Sequence, residues 1–130
     1  MNEKRILIID DDEEICNELK EILEDEGYIV NYKMDGLTGF KEIKDGNYDL
    51  VIQDLKLPGM NGLDLLVKTK EYNSNQKVIV LTGRPLNTAL LNENNDIKNE
   101  EYLLFSKADR IFNKPFNVFE ILKNIEELFK

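Results

Sequence analysis

Four short apolar runs in this chain each end on residues able to do chemistry. Ile6–Ile9 runs into Asp10, Asp11, Asp12, Glu13 and Glu14. The run DLVIQ ends at Asp54, KVIVL ends at Thr82-Gly83, and Arg110–Phe112 leads into Asn113-Lys114-Pro115-Phe116. Taken singly, each terminus has an ordinary use. Acids favour a helix N-terminus, threonine forms strands readily, and a lysine before proline commonly sits in a loop. Taken together they make a different set. Asp10, Asp11 and Asp54 supply three carboxylates, which destabilise a fold unless they are protonated or neutralised by cations. Carboxylate, carbonyl and water oxygens suit a hard divalent ion, Mg²⁺ first. Thr82 and Lys114 add a hydroxyl donor and an ammonium able to face an anion held at Asp54.

That chemistry requires the five residues to meet, so the elements between them matter. Ile6–Ile9 is wholly apolar, as in a strand covered on both faces. Asp12–Glu26 carries Ile15, Leu19, Ile22 and Leu23 at helical spacing, with Gly27 placed to end the helix. Tyr28–Tyr32 is a second strand. Leu37, Phe40 and Ile43 mark a helix ending before Gly46. Asp49–Gln53, with Asp54 at its end, is the third strand, Leu63–Tyr72 a helix, and Lys77–Leu81 the fourth strand. Leu86, Leu90 and Leu91 suggest a further helix, Asn92–Glu101 an exposed excursion, and Tyr102–Ser106 a helical turn or two. Arg110–Phe112 is the fifth strand, and Asn117 caps a last helix with Phe119, Leu122, Ile125 and Phe129.

Five strand–helix alternations predict an α/β fold: a flavodoxin-like (βα)5 doubly wound parallel sheet, strand order 2-1-3-4-5. Sites in such sheets form beyond the C-terminal strand ends, where the order reverses between strands 1 and 3. This is where Asp10, Asp11 and Asp54 would converge.

Composition bounds the rest. The chain has 130 residues, 42 % of them hydrophobic and 33 % charged, with a net charge of −9. One domain spanning 1–130 is expected, with an insertion around 92–101. The acidic balance disfavours direct nucleic-acid binding. No apolar stretch is long enough for a membrane span, the N-terminus is not a signal peptide, and a cytoplasmic setting is expected. The chain has no histidine and a single cysteine, Cys16. A histidine base, a histidine metal ligand, an internal phosphohistidine and a structural zinc site are thereby excluded.

The motifs IIDD, VIQDLKLPGMNG, VLTG and NKPF, in this order, resemble those of the receiver domain of two-component response regulators over nearly the whole chain. The resemblance implies that Asp54 is the phosphoacceptor. It implies that Mg²⁺ is held by Asp11, Asp54 and the main-chain carbonyl of Lys56, with Asp10 supporting the ion through water. Thr82 would donate its hydroxyl to the phosphoryl group, Lys114 would pair with it, and the Lys114–Pro115 peptide would be cis. Pro58 and Gly62 match the family's turn after the acceptor strand. The implied function is a signalling module with no enzyme activity beyond its own phosphorylation and dephosphorylation. The implied partners are a sensor histidine kinase or phosphotransfer protein and a downstream effector domain or protein. A homodimer through the fourth helix, fifth strand and last helix is a further implied arrangement. Ending at Lys130, the chain is either a free-standing receiver or the N-terminal piece of a longer protein.

Two features depart from the family. Ile111 stands three residues before Lys114, where members usually carry Tyr or Phe, so the switch is expected to rely on Thr82 and loop movement. The Thr82–Lys114 interval is also longer than the family commonly shows, with the excess in Asn92–Glu101. Lys56 and Arg84, two residues beyond Asp54 and Thr82, are placed to shield an acyl phosphate and slow its hydrolysis. Three rivals remain. A haloacid-dehalogenase-like phosphoaspartyl hydrolase would use Asp10-Asp11-Asp12 but leave Asp54 idle. A flavin-binding protein would need a hydroxyl- and Gly-rich loop where the acids stand. A degenerate receiver would act as an interaction scaffold.

Overall fold

A computed structural model describes residues 3–83, 102–104 and 106–130. The predicted helix over Leu86–Leu91, the Asn92–Glu101 insertion and Arg84 lie outside the described residues. Five strands form: β1 (Arg5–Ile9), β2 (Ile29–Lys33), β3 (Leu50–Asp54), β4 (Lys77–Thr82) and β5 (Arg110–Asn113). Helices α1 (Glu13–Asp25), α2 (Gly36–Gly46) and α3 (Gly62–Tyr72) follow the first three strands, and a C-terminal helix runs from Val118 to Leu128. Residues 102–104 and 106–107 are helical. The strands pair in parallel in the order 2-1-3-4-5, as the alternation predicts.

The apolar strands alternate between two cores, the signature of a sheet covered on both sides. Ile6, Ile8, Leu50, Ile52, Ile79 and Leu81 face α1 and the C-terminal helix, meeting Cys16, Leu19, Leu23, Ile121 and Ile125. Leu7, Ile9, Val51, Val78 and Val80 face the other way, against Ile43, Leu65, Leu66 and Leu104. Ile111 packs into the second core and Phe112 into the first, so these neighbours on β5 do point to opposite faces.

Three local expectations need correction. The C-terminal helix buries Ile121 and Ile125, while Phe119 is 81 % exposed. Leu122, Ile125 and Phe129 pack as read, but Ile121 rather than Phe119 completes the apolar face. Leu37 likewise lies outside the core, 59 % exposed, on the first turn of α2. That helix also includes Gly46 and ends one residue later, with Asn47 taking the left-handed conformation (φ 55°). Asn tolerates that conformation through its short polar side chain.

Register decides how the strand ends meet. Ile9 stands opposite Gln53, so Asp10 is level with Asp54. Asp54 pairs with Leu81 and Leu81 with Phe112, which carries Thr82 and Asn113 to the same edge.

Candidate functional site

The opening acids divide by role. Asp12 caps α1, its Oδ1 accepting from the Glu14 and Ile15 amides at 3.0 and 3.4 Å, with Glu13 and Glu14 in the first turn. Asp10 turns inward and is fully buried, while Asp11 stays exposed. Asp54, at the end of β3, is 6 % exposed. Ligating oxygens of Asp10, Asp11 and Asp54 all lie within 4.8 Å of one another. The three sequence-predicted carboxylates thus form one cluster.

Lys114 reaches it from beyond β5. Its Nζ lies 2.9 Å from Asp10 Oδ2 and 3.1 Å from Asp54 Oδ2. The Lys114–Pro115 peptide is cis, as the resemblance implies. Burial pulls the Lys114 ammonium down, but its hydrogen bonds to Asp10 and Asp54 outweigh this and leave it above the ordinary lysine value. For Asp10 the balance goes the other way: burial raises the carboxyl above its ordinary value despite the bond from Lys114 and one from the Asp12 amide. One ammonium serves two buried carboxylates here, and the pocket retains excess negative charge. An all-oxygen donor set with that excess fits a hard divalent cation.

Asp54 is further fixed by its own loop. Its Oδ1 accepts from the Leu55 amide at 2.7 Å and more weakly from the Lys56 amide at 3.4 Å. Lys56 is exposed, with its side chain at the rim. Thr82 is buried at the end of β4, and its carbonyl accepts from the Lys114 amide at 2.8 Å. A cleft beside Asp54 is lined by Lys56, Leu57, Asn61, Thr82, Gly83 and Leu104. At Gly83 a Cβ would meet nothing within 4 Å, so this side of Asp54 is open among the described residues.

One polar side chain escaped the sequence reading. Gln53 is fully buried next to Asp54, its Nε2 donating to Gly62 O at 2.7 Å and Asp54 O at 3.3 Å. The signal was present as the single amide inside the apolar run LVIQD.

The model of the response regulator receiver domain family matches residues 6–126. The chain belongs to that family. This receiver domain is similar to the transcriptional regulatory protein YkoG of Bacillus subtilis, 34 % identical over 125 residues, which is 96 % of this chain and 50 % of YkoG. It is also similar to the regulatory protein VanRB of Enterococcus faecalis, 33 % identical over 97 % of this chain and 52 % of the relative. The chain thus spans about half the length of the curated relatives it matches. Among solved structures it resembles a CheY-like receiver domain from Methanospirillum hungatei, with a TM-score of 0.82 and 34 % identity over 97 % of this chain and 93 % of that one. It also resembles the response regulator TrrA of Thermotoga maritima in complex with Mg²⁺ and BeF, with a TM-score of 0.77 and 31 % identity over 96 % and 98 % of the chains. The protein is therefore a response-regulator receiver domain, a signalling module phosphorylatable on aspartate. Among the described residues no helix is long and apolar enough to cross a membrane.

Proposed function

We propose that this receiver domain takes a phosphoryl group onto Asp54 from a partner's phosphohistidine or a small acyl phosphate. The observation that carries the reading is the convergence of Asp10, Asp11, Asp54 and Lys114 at one sheet edge beside an open cleft. Asp11, Asp54 and the Lys56 carbonyl would hold Mg²⁺, with Asp10 supporting it through water. The ion, when bound, supplies charge neutralisation between acceptor and phosphoryl oxygens.

The chain's own groups do the rest. Transfer brings two anions together, so positioning and neutralisation count for more than covalent help. The Leu55 amide fixes the Asp54 carboxylate by its Oδ1. A carboxylate oxygen then forms a new P–O bond as the donor's P–N or P–O bond breaks, and the leaving group keeps the electron pair. Lys114, already poised on Asp54, neutralises a phosphoryl oxygen, and the Thr82 hydroxyl donates to another. Hydrolysis by water reverses the modification.

Phosphorylation adds close to two negative charges and new acceptor oxygens. Thr82 and Lys114 would follow them, carrying the ends of β4 and β5 and shifting the population of a second surface arrangement. Moving a two-state balance from 1:99 to 99:1 takes roughly 5.5 kcal/mol of differential stabilisation. Two charge-assisted hydrogen bonds in a partly buried site approach that scale. The altered face around β5 and the C-terminal helix would meet an effector or a second copy of the chain. The half-buried Ile111 replaces the family's aromatic, so coupling runs through Thr82 and its loop.

Intact-mass measurement tests the reading. With acetyl phosphate and Mg²⁺ the protein should gain one phosphoryl mass. The gain should vanish in EDTA and in Asp54→Asn. No gain in the parent, or an equal gain in the variant, would overturn it. Steady turnover of a phosphate ester would favour the hydrolase rival.

A further inference from the structure

We propose that Gln53 is a positioning residue for the metal site. Its buried carboxamide clasps both ends of the loop between Asp54 and Gly62, and so holds the Lys56 carbonyl beside the acceptor. The inference rests on the reading of that carbonyl as a cation ligand.

Gln53 sits where packing alone would call for an apolar residue. It is fully buried, and its strand neighbours Leu50, Val51 and Ile52 are all aliphatic. Both contacts of its Nε2 are carbonyl oxygens, of Gly62 at 2.7 Å and of Asp54 at 3.3 Å. Two acceptors fix the amide orientation, because the reversed form would set oxygen against oxygen. Its Oε1 has no partner among the described residues. A buried amide left half-satisfied is unfavourable for stability. The amide's bonds all go to the loop that leaves Asp54.

That loop is pinned elsewhere too. The Gly62 amide donates to Leu55 O at 2.7 Å. A Cβ at Gly62 would fall 2.3 Å from both Asp54 O and Leu55 Cα, so the two loop ends touch and only glycine fits. At mid-loop, the Gly36 amide of α2 donates to Pro58 O at 3.1 Å. Gln53 adds a strong side-chain bond to the far end, at Gly62, and a longer one to Asp54 O at the near end. Lys56 lies two residues from that clasp, and its amide bond to Asp54 is long at 3.4 Å, too weak to fix its carbonyl unaided.

Gln53→Met keeps the side-chain length and removes both bonds. Three quantities separate positioning from plain stability: amide hydrogen exchange at Leu55 and Gly62 in EDTA, calorimetric Mg²⁺ affinity, and the melting temperature in EDTA. Loss of a supporting bond behind a metal ligand typically weakens metal affinity by about 10-fold or more. The expected result is Mg²⁺ binding weakened on that scale, with faster exchange at Leu55 and Gly62. Exchange in β1 and β3 and the EDTA melting temperature should stay near the parent's. Unchanged Mg²⁺ affinity overturns the inference, as does weakening accompanied by loss of protection across the strands. Should Gln53→Met not fold, Gln53→Asn, whose shorter amide falls short of Gly62, is put to the same measurements. Failure of the underlying reading shows separately, as a parent protein that binds no Mg²⁺, and it overturns both.

Discussion

Lys114 carries the electrostatics of the site. It pairs with Asp10 and Asp54, whose side chains are 1 % and 8 % exposed, while its own is 20 % exposed. Removing one partner of a buried pair leaves the remaining charge uncompensated, at a cost of about 3 kcal/mol. Lys114→Met should therefore lower the melting temperature in EDTA. The same change removes a positive charge that competes with a divalent cation for these carboxylates. Added Mg²⁺ should then raise the variant's melting temperature by more than it raises the parent's. Paired thermal melts with and without Mg²⁺ check both halves, and an equal Mg²⁺ response would contradict this view of the cluster. Asp10, Asp11, Asp54, Thr82 and Lys114 were legible in the sequence because each ends an apolar run, and a parallel sheet gathers such ends at one edge. Gln53 was not legible as a clasp. Its role depends on how closely Gly62 returns to Leu55, and residue types alone do not encode that distance.

At the scale of elements, the sequence reading named the helix starts at Asp12 and Asn117 but not the caps Asp35 and Asn61. Asp12, Asp35, Asn61 and Asn117 all cap helices through their side chains. Asp35 caps α2 and is not part of the carboxylate cluster. It accepts from the Thr38 amide at 2.8 Å and the Thr38 hydroxyl at 2.7 Å, and these bonds hold its carboxyl below the ordinary value. Asp35→Ala should cost about 1 kcal/mol, as loss of an N-cap usually does. Urea unfolding measures that loss. The sign with pH follows from the lowered value: the cap's contribution is present above the unfolded carboxyl range and fades as pH falls through the folded value. The apolar stripe of the C-terminal helix was misread through Phe119 because a short helix offers several apolar positions. Packing against the sheet selects Ile121 in place of Phe119, beside the Ile125 already read. Strand order followed from the strand–helix alternation, whereas register, in strands apolar on both faces, is read from the structure alone.

For the molecule as a whole, several buried groups push in one direction at alkaline pH. Burial drives the Cys16 thiol up to about 12, with the Asp10 charge adding to the effect. Burial likewise raises the Tyr28 and Tyr48 hydroxyls. Lys114 is also raised, through its bonds to the two aspartates against the pull of burial. In every case the folded state keeps its proton to higher pH than the unfolded chain does. Their contributions are therefore complete below the unfolded values, which begin at about 8.5 for cysteine, and are lost as pH rises through the folded ones. Melting temperature should fall steadily from about pH 8.5 upward, the first part of the decline absent in Cys16→Ala. A flat profile to pH 11 would show that these groups are solvated.

The most direct measurement is the location of the phosphoryl group. After labelling with acetyl phosphate and Mg²⁺, borohydride reduces an acyl phosphate to an alcohol, and peptide sequencing by mass spectrometry reads its position. Reduction at Asp54 alone is the expected result. Reduction at Asp10 or Asp11, or at no residue of a labelled protein, would contradict the account.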